Sequence, residues 1–404
     1  MKPKLRPLEA HPIVHGGQQS ILLRDPLGLA PGHVVVPASW GPLLALCDGT
    51  RDLPALRAAL AVRTGILLSE ESLGQIIRRL DEALLLEGGR VEAARRAALQ
   101  AYRSAPCRPP ASAGASYPED PEALRTLLRG FVDGAGSPAG DEAQGVFRGL
   151  VSPHIDYARG GPVYARVFSL AASTLEQVDL VVLFGTDHQG APGRLTLTLQ
   201  HYATPFGVLP TAQDVVRALA EAIGPEEAFE EELHHRTEHS VELAAVWLHH
   251  TVGERPLPLV PILCGSFDPF VEGRADPATH PPFVACLEVL REVMAVHRTL
   301  VVAAADLAHV GPAFGDPRPL DLADRAELQA ADQALLATVA AGDAEAFFRA
   351  IQAEGDRRRI CGLPPLYLTL RLLGDAKGIQ VGYKHCPADA QGGSWVSICG
   401  MLLR

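Results

Sequence analysis

Four polar breaks in otherwise apolar sequence carry the residues best suited to chemistry: Ser152-Pro-His154, Phe184-Gly-Thr-Asp187-His188, Ala305-Asp306-Leu-Ala-His309 and Ile360-Cys361-Gly. The first three end hydrophobic runs of strand character. An open α/β sheet puts its working residues just beyond the carboxyl ends of its strands, so segments far apart in sequence can meet at one pocket. Two imidazoles and a thiol are a soft donor set for iron, copper or zinc, and three protein ligands leave coordination positions open. Asp306 and His309 have the makings of an acid/base pair, since an imidazole moves protons near neutral pH and a carboxylate orients it. Glu238 and His239, ahead of a helix, read as residues that orient metal ligands, and Tyr157 follows His154 in a glycine-containing turn. Taken singly, His154 and His188 read first as hydrogen-bonded loop histidines, and Asp306 equally as a helix cap.

The elements that must position these residues follow from the pattern of the 404-residue chain. That length exceeds what one core supports, so two domains are expected. A break rich in Pro, Ala and Ser at 105–117 reads as a linker between a small domain at 1–104 and a large one at 118–404. In the small domain, strands around Ile21 and Val34 precede helices at 40–47, 53–64 and 72–86, the last with Leu73, Ile76, Ile77, Leu80 and Leu84 on one face and Ser69 as its cap. This is the order of a winged helix. In the large domain, apolar strands at 145–151, 179–185, 256–263 and 299–305 alternate with helices at 161–175, 214–223, 240–250, 284–297, 324–341 and 362–373. The class is therefore α/β, a mostly parallel sheet flanked by helices.

Composition narrows the partners. Hydrophobic residues make up 47% and charged residues 21%, and 36 basic against 47 acidic residues give a formal charge of -11. With no long basic run, nucleic acid is excluded as the expected partner. No apolar stretch reaches the ~18 residues that span a bilayer, and Met1-Lys-Pro-Lys-Leu-Arg-Pro lacks a signal-peptide hydrophobic region, so a cytoplasmic location and no membrane partner are expected. The seven cysteines are scattered and never spaced as C-x-x-C, which argues against disulfides and zinc ribbons. His234, His235, His249 and His250 read as solvated surface, and Arg357, Arg358 and Arg359 as a charged helix end or an attractor for an anionic substrate.

Seven motifs then occur in one order: Ala113-Gly-Ala-Ser-Tyr-Pro, Ser152-Pro-His-Ile-Asp-Tyr-Ala-Arg-Gly-Gly-Pro, Phe184-Gly-Thr-Asp-His, Glu238-His-Ser-Val-Glu, Val260-Pro-Ile-Leu-Cys-Gly, Ala305-Asp-Leu-Ala-His-Val-Gly and Ile360-Cys-Gly. In this the region from about Pro110 to Arg404 resembles the Memo family, also called AmmeMemoRadiSam system protein B, whose fold is similar to class III extradiol dioxygenases. With the full ordered set the preference for loop histidines reverses. The resemblance implies metal ligands at His154, His188 and Cys361 and an acid/base pair at Asp306 and His309. It implies iron as Fe(II), with copper or zinc as alternatives, redox or dioxygenase-type chemistry on a small molecule or peptide, and a radical-SAM system protein as partner. The chain departs from the family pattern at Asp187, at Ala304 and Ala305, and at Leu363-Pro364. An added carboxylate at Asp187 is expected to join the metal and make the site harder. The run Leu22-Leu-Arg-Asp-Pro, Leu46-Cys-Asp-Gly-Thr-Arg and Leu80-Asp-Glu-Ala-Leu-Leu-Leu resembles PqqD-like domains, which implies peptide binding; a packing appendage is the competing reading, and DNA binding ranks third. A non-catalytic peptide-binding adaptor and a metal-handling protein without turnover are the alternatives to an enzyme.

Overall fold

The computed structural model describes residues 2–30, 32–135 and 145–404. The chain forms two compact units, Met1–Ser104 and Ala105–Arg404. In the first, strands β1 (Glu9–His15), β2 (Gln18–Arg24) and β3 (Val34–Pro37) pair antiparallel in that order, followed by helices α1 (Gly41–Leu46), α2 (Leu53–Thr64), α3 (Glu70–Glu82) and α4 (Gly89–Ser104). Asp52 and Ser69 cap α2 and α3 by accepting from the N–H groups of Ala55 and Ser72. Leu23, Val36, Leu43, Leu56, Leu73, Ile77 and Leu80 form the core. The helix expected to run to Leu86 stops at Glu82. Leu84 adopts a left-handed φ of 59°, and the Leu85 N–H turns back to the Leu80 carbonyl at 2.9 Å, satisfying a carbonyl the helix end would leave open.

The second unit begins with α5 (Pro121–Gly134), β4 (Gly149–Ser152), α6 (Tyr157–Leu170), α7 (Ala172–Gln177), β5 (Leu180–Thr186), β6 (Leu195–Leu197), β7 (Tyr202–Thr204) and β8 (Gly207–Leu209). It continues through α8 (Gln213–Ile223), α9 (Pro225–Phe229), α10 (Ser240–Val252), β9 (Leu259–Cys264), α11 (Asp268–Val271), α12 (Pro281–Val296), β10 (Thr299–Ala304) and β11 (Asp306–Val310). Helices α13 (Leu322–Ala340), α14 (Ala344–Ala353) and α15 (Leu363–Leu373) and strands β12 (Gly378–Pro387) and β13 (Trp395–Leu403) complete it. The main sheet has the order β11-β13-β4-β10-β5-β9-β6, with β12 on β13. Its centre, β4, β10, β5 and β9, is parallel, and the strands added at either side are antiparallel. β5 is buried at every position. Val182 and Phe184 enter the core on one face and Val181 and Leu183 that on the other, the period-two alternation of a strand covered on both sides. Among the described residues no helix is long and apolar enough to cross a membrane.

The segment read as a linker, 105–117, is built into the second unit. Arg108 is fully buried and ion-paired to Glu242 on α10, which also accepts from the N–H groups of Ala111 and Ser112 and from the Tyr117 hydroxyl. The Pro-rich composition reflects an extended path that the buried pair holds in place.

Candidate metal centre

The parallel register sets the site. Ala304 at the end of β10 lies level with Ser152 on β4 and Gly185 on β5, so the residues that follow emerge together at one edge of the sheet. His154 leaves β4, His188 leaves β5, and Asp306 opens β11. Gly185 permits the close approach of β5 to α10, since a Cβ there would fall 2.6 Å from Ser240 Oγ and from a Val241 methyl. Cys361 arrives from the loop before α15. Gly362 donates to the Asp306 carbonyl at 3.0 Å, and a Cβ at Gly362 would lie 2.4 Å from that oxygen; this is the physical demand behind the Cys-Gly pair.

The ligand atoms of His154, His188 and Cys361 all lie within 4.8 Å of one another. Cys361 Sγ is 3.2 Å from His154 Nε2. Bond lengths of ~2.1 and ~2.3 Å put nitrogen and sulfur about 3.1 to 3.6 Å apart on one ion, from right-angled to tetrahedral, so the donor set fits a single metal. Each ring is oriented through its other nitrogen. His154 Nδ1 meets the Ala304 carbonyl at 3.0 Å, and His188 Nδ1 meets Glu238 Oε2 at 3.0 Å. With Nδ1 as the donor, Nε2 is left as the lone-pair ligand in both, and the carboxylate behind His188 raises its basicity. Glu238 is itself fixed, its Oε1 accepting from the N–H groups of His239 and Ser240 at 2.7 and 2.9 Å. Replacing Glu238 by Gln is expected to weaken metal affinity about 10- to 100-fold, read by competition with a chelator of known strength; an unaltered affinity would remove this role.

The electrostatics favour the ligating form of the sulfur. Burial alone would raise the Cys361 thiol, but His154, His309 and His188 hold it well below the usual range. Burial would depress His154, yet Asp306 and Cys361 lift it to about 9; against the same opposition, Glu238 and Cys361 raise His188. Elsewhere burial without such partners pushes Cys286 up to about 12 and Cys386 to about 11, as befits inert core thiols.

Other expected residues take different places. Asp306 caps no helix: its Oδ1 accepts the His154 N–H at 2.8 Å, tying β11 to the ligand loop. His309 lies on β11, its N–H on the Arg358 carbonyl at 2.7 Å and its ring edge-on to Phe314. His239 stacks on His188 at 4.9 Å and also pairs with Glu238. Tyr157 opens α6 and is fully buried in the core, its hydroxyl spent on the Leu243 carbonyl at 2.6 Å. Asp187 does not turn to the three ligands. Its carboxylate faces His234 at 2.9 Å in a separate group with Glu231. Two more histidines expected at a solvated surface are corrected too. His235 is fully buried, its Nδ1 against the Tyr202 hydroxyl and its Nε2 against the Thr196 carbonyl, and burial lowers it to about 3. His249 is buried against Thr204 Oγ1. Arg357, Arg358 and Arg359 follow α14 as a charged helix end: Arg358 is buried between Asp332 and Glu354, Arg359 pairs with Asp316, and Arg357 stands exposed beside Glu354. Sequence reasoning missed the Arg108–Glu242 pair and the Asp187–His234 pair. Both join residues too distant for local spacing to signal.

Comparison with known proteins accords with this geometry. The Memo-like protein family model matches residues 108–401. A MEMO1 family protein of Aquifex aeolicus is 26% identical over 414 residues, covering 100% of both chains. Another, of Thermus thermophilus, is 30% identical over 336 residues, covering 83% of this chain and 94% of its own. One from Methanococcoides burtonii is 31% identical over 206 residues, covering 51% and 69%. The match takes in all three of the converging donors as well as Glu238, Asp306 and His309, and the chain belongs to the Memo-like family.

Proposed function

We propose that the chain is a Memo-type metal protein whose single ion, Fe(II) in preference to copper or zinc, serves oxygen-dependent or redox chemistry on a small molecule or a peptide side chain. The observation that carries this reading is the convergence of His154, His188 and Cys361 within 4.8 Å from segments up to 207 residues apart. Burial at the centre falls on His154, while the His188 side chain remains 35% exposed, so the ion would have protein on one side and access on the other. Fe(II) held there would supply redox and Lewis-acid chemistry. His154 Nε2, His188 Nε2 and Cys361 Sγ would hold it, and Glu238 and the Ala304 carbonyl keep both rings in the ligating tautomer. His309, whose Nδ1 faces the Leu307 carbonyl at 3.1 Å, has Nε2 left to take or give a proton at the substrate. Asp306 positions His154 through its backbone N–H.

Elemental analysis of protein purified without added metal, followed by anaerobic Fe(II) loading and oxygen-uptake measurements, tests the reading. About one ion per chain is expected for a three-ligand centre, with oxygen consumed after loading. Protein that takes up no ion at either stage would defeat it, and an ion bound with no oxygen consumed would reduce it to metal handling.

A further inference from the structure

A cavity of about 230 Å³ opens beside the centre, with His188 and Cys361 in its wall. Phe267, Val271, Ile360 and Leu363 supply apolar lining, and Asp187, Asp268, Asp356 and Arg359 supply its charge. These charges do not cancel. Asp187 is matched by His234, and Arg359 is spent on Asp316 at 2.6 Å and on the His309 carbonyl at 3.1 Å. Among the described residues the Asp268 carboxylate accepts from the Ser266 hydroxyl at 2.9 Å and the Asp356 carboxylate from the Ile360 N–H at 2.9 Å. Among the described residues neither forms an ion pair, because nearby Arg358 is committed to Asp332 and Glu354. The wall of the cavity therefore carries two carboxylates with no cation of their own among the described residues.

That balance discriminates between ligand classes. An anion would meet like charge on entry. A neutral apolar molecule would cover the carboxylates without pairing them, which costs desolvation with no return. A molecule with an ammonium end and an apolar body satisfies both kinds of lining. We propose that this cavity receives a small amine, its ammonium group at Asp268 and Asp356 and its body against Phe267, Val271 and Leu363. This names the substrate class of the metal centre and rests on the reading of that centre given above.

The test is equilibrium dialysis of the metal-loaded full chain against benzylammonium, benzyl alcohol and benzoate, which share a ring and differ in charge. Benzylammonium is expected to bind at least about tenfold more tightly than either of the others, a difference of about 1.4 kcal/mol. The double variant Asp268→Asn, Asp356→Asn should lose most of that preference. Asn suits the left-handed φ of 46° at position 356, a conformation that it tolerates nearly as well as Asp. Benzoate bound as well as the amine, no probe bound, or a preference intact in the double variant would each overturn the proposal. Metal content measured on the same samples separates the two readings. Amine preference in protein that holds no metal would sink the centre and spare the cavity; a loaded centre without preference would do the reverse.

Discussion

Cys361→Ser is expected to lower metal affinity more than about 100-fold, because even a residue that only orients a ligand costs about 10- to 100-fold when changed. The hydroxyl of serine is a hard, protonated donor at neutral pH, whereas His154, His309 and His188 hold the Cys361 thiol well below its usual range at the place where an ion would sit. His154→Ala should act similarly, since it removes the buried donor 3.2 Å from that sulfur. Competition with a chromophoric chelator measures both. The fold should survive Cys361→Ser, because the loop is also held by the Gly362 N–H and by the Thr186 hydroxyl, which donates to the Cys361 carbonyl at 2.9 Å. A variant that melts like the wild type and binds metal as tightly would exclude the thiolate as a ligand.

The second large effect lies at the buried pair that locks residues 108–117 into the large unit. Arg108→Met should cost about 3 to 5 kcal/mol, the range for removing one partner of a buried ion pair. Glu242 would be left fully buried with its charge uncompensated, and the carbonyls of His235 and Glu238 would lose the guanidinium donors that hold them at 2.6 and 2.8 Å. Denaturant unfolding measures the loss. Because the freed carbonyl belongs to Glu238, which orients His188, metal affinity should fall alongside stability. The double variant Arg108→Met, Glu242→Gln should recover part of the stability, because the neutral amide leaves no uncompensated buried charge and keeps an acceptor for the backbone N–H groups that bond Glu242. A single variant as stable as the wild type would show that the pair contributes nothing.

The difference between these two sites marks what could be read from the sequence. His154, His188, Asp306, His309 and Cys361 stand out because each interrupts an apolar run or adjoins a glycine that close packing demands. The parallel core was legible for a related reason: strands buried on both faces are written as near-continuous apolar runs, and β5 and β9 are of that kind. The short antiparallel strand β6 carries only three residues, too few for a period to register. Asp187 was misread because its direction is set by His234, 47 residues away, and not by its neighbour His188. His235 and His249 look polar in sequence, yet both are paid-up hydrogen-bond partners in the interior.

By itself, then, the sequence determined the class of the fold, the order of its elements and which side chains have the chemistry of a soft metal site, because periodicity and residue type act locally. The tertiary structure decided that three of these donors meet at one point, that Tyr157 and Asp187 face elsewhere, and that Arg358 of the arginine run is buried between Asp332 and Glu354. Those outcomes depend on the register of β4, β10 and β5 and on the direction of each side chain across the sheet edge, and pairing between distant segments leaves no mark on local spacing.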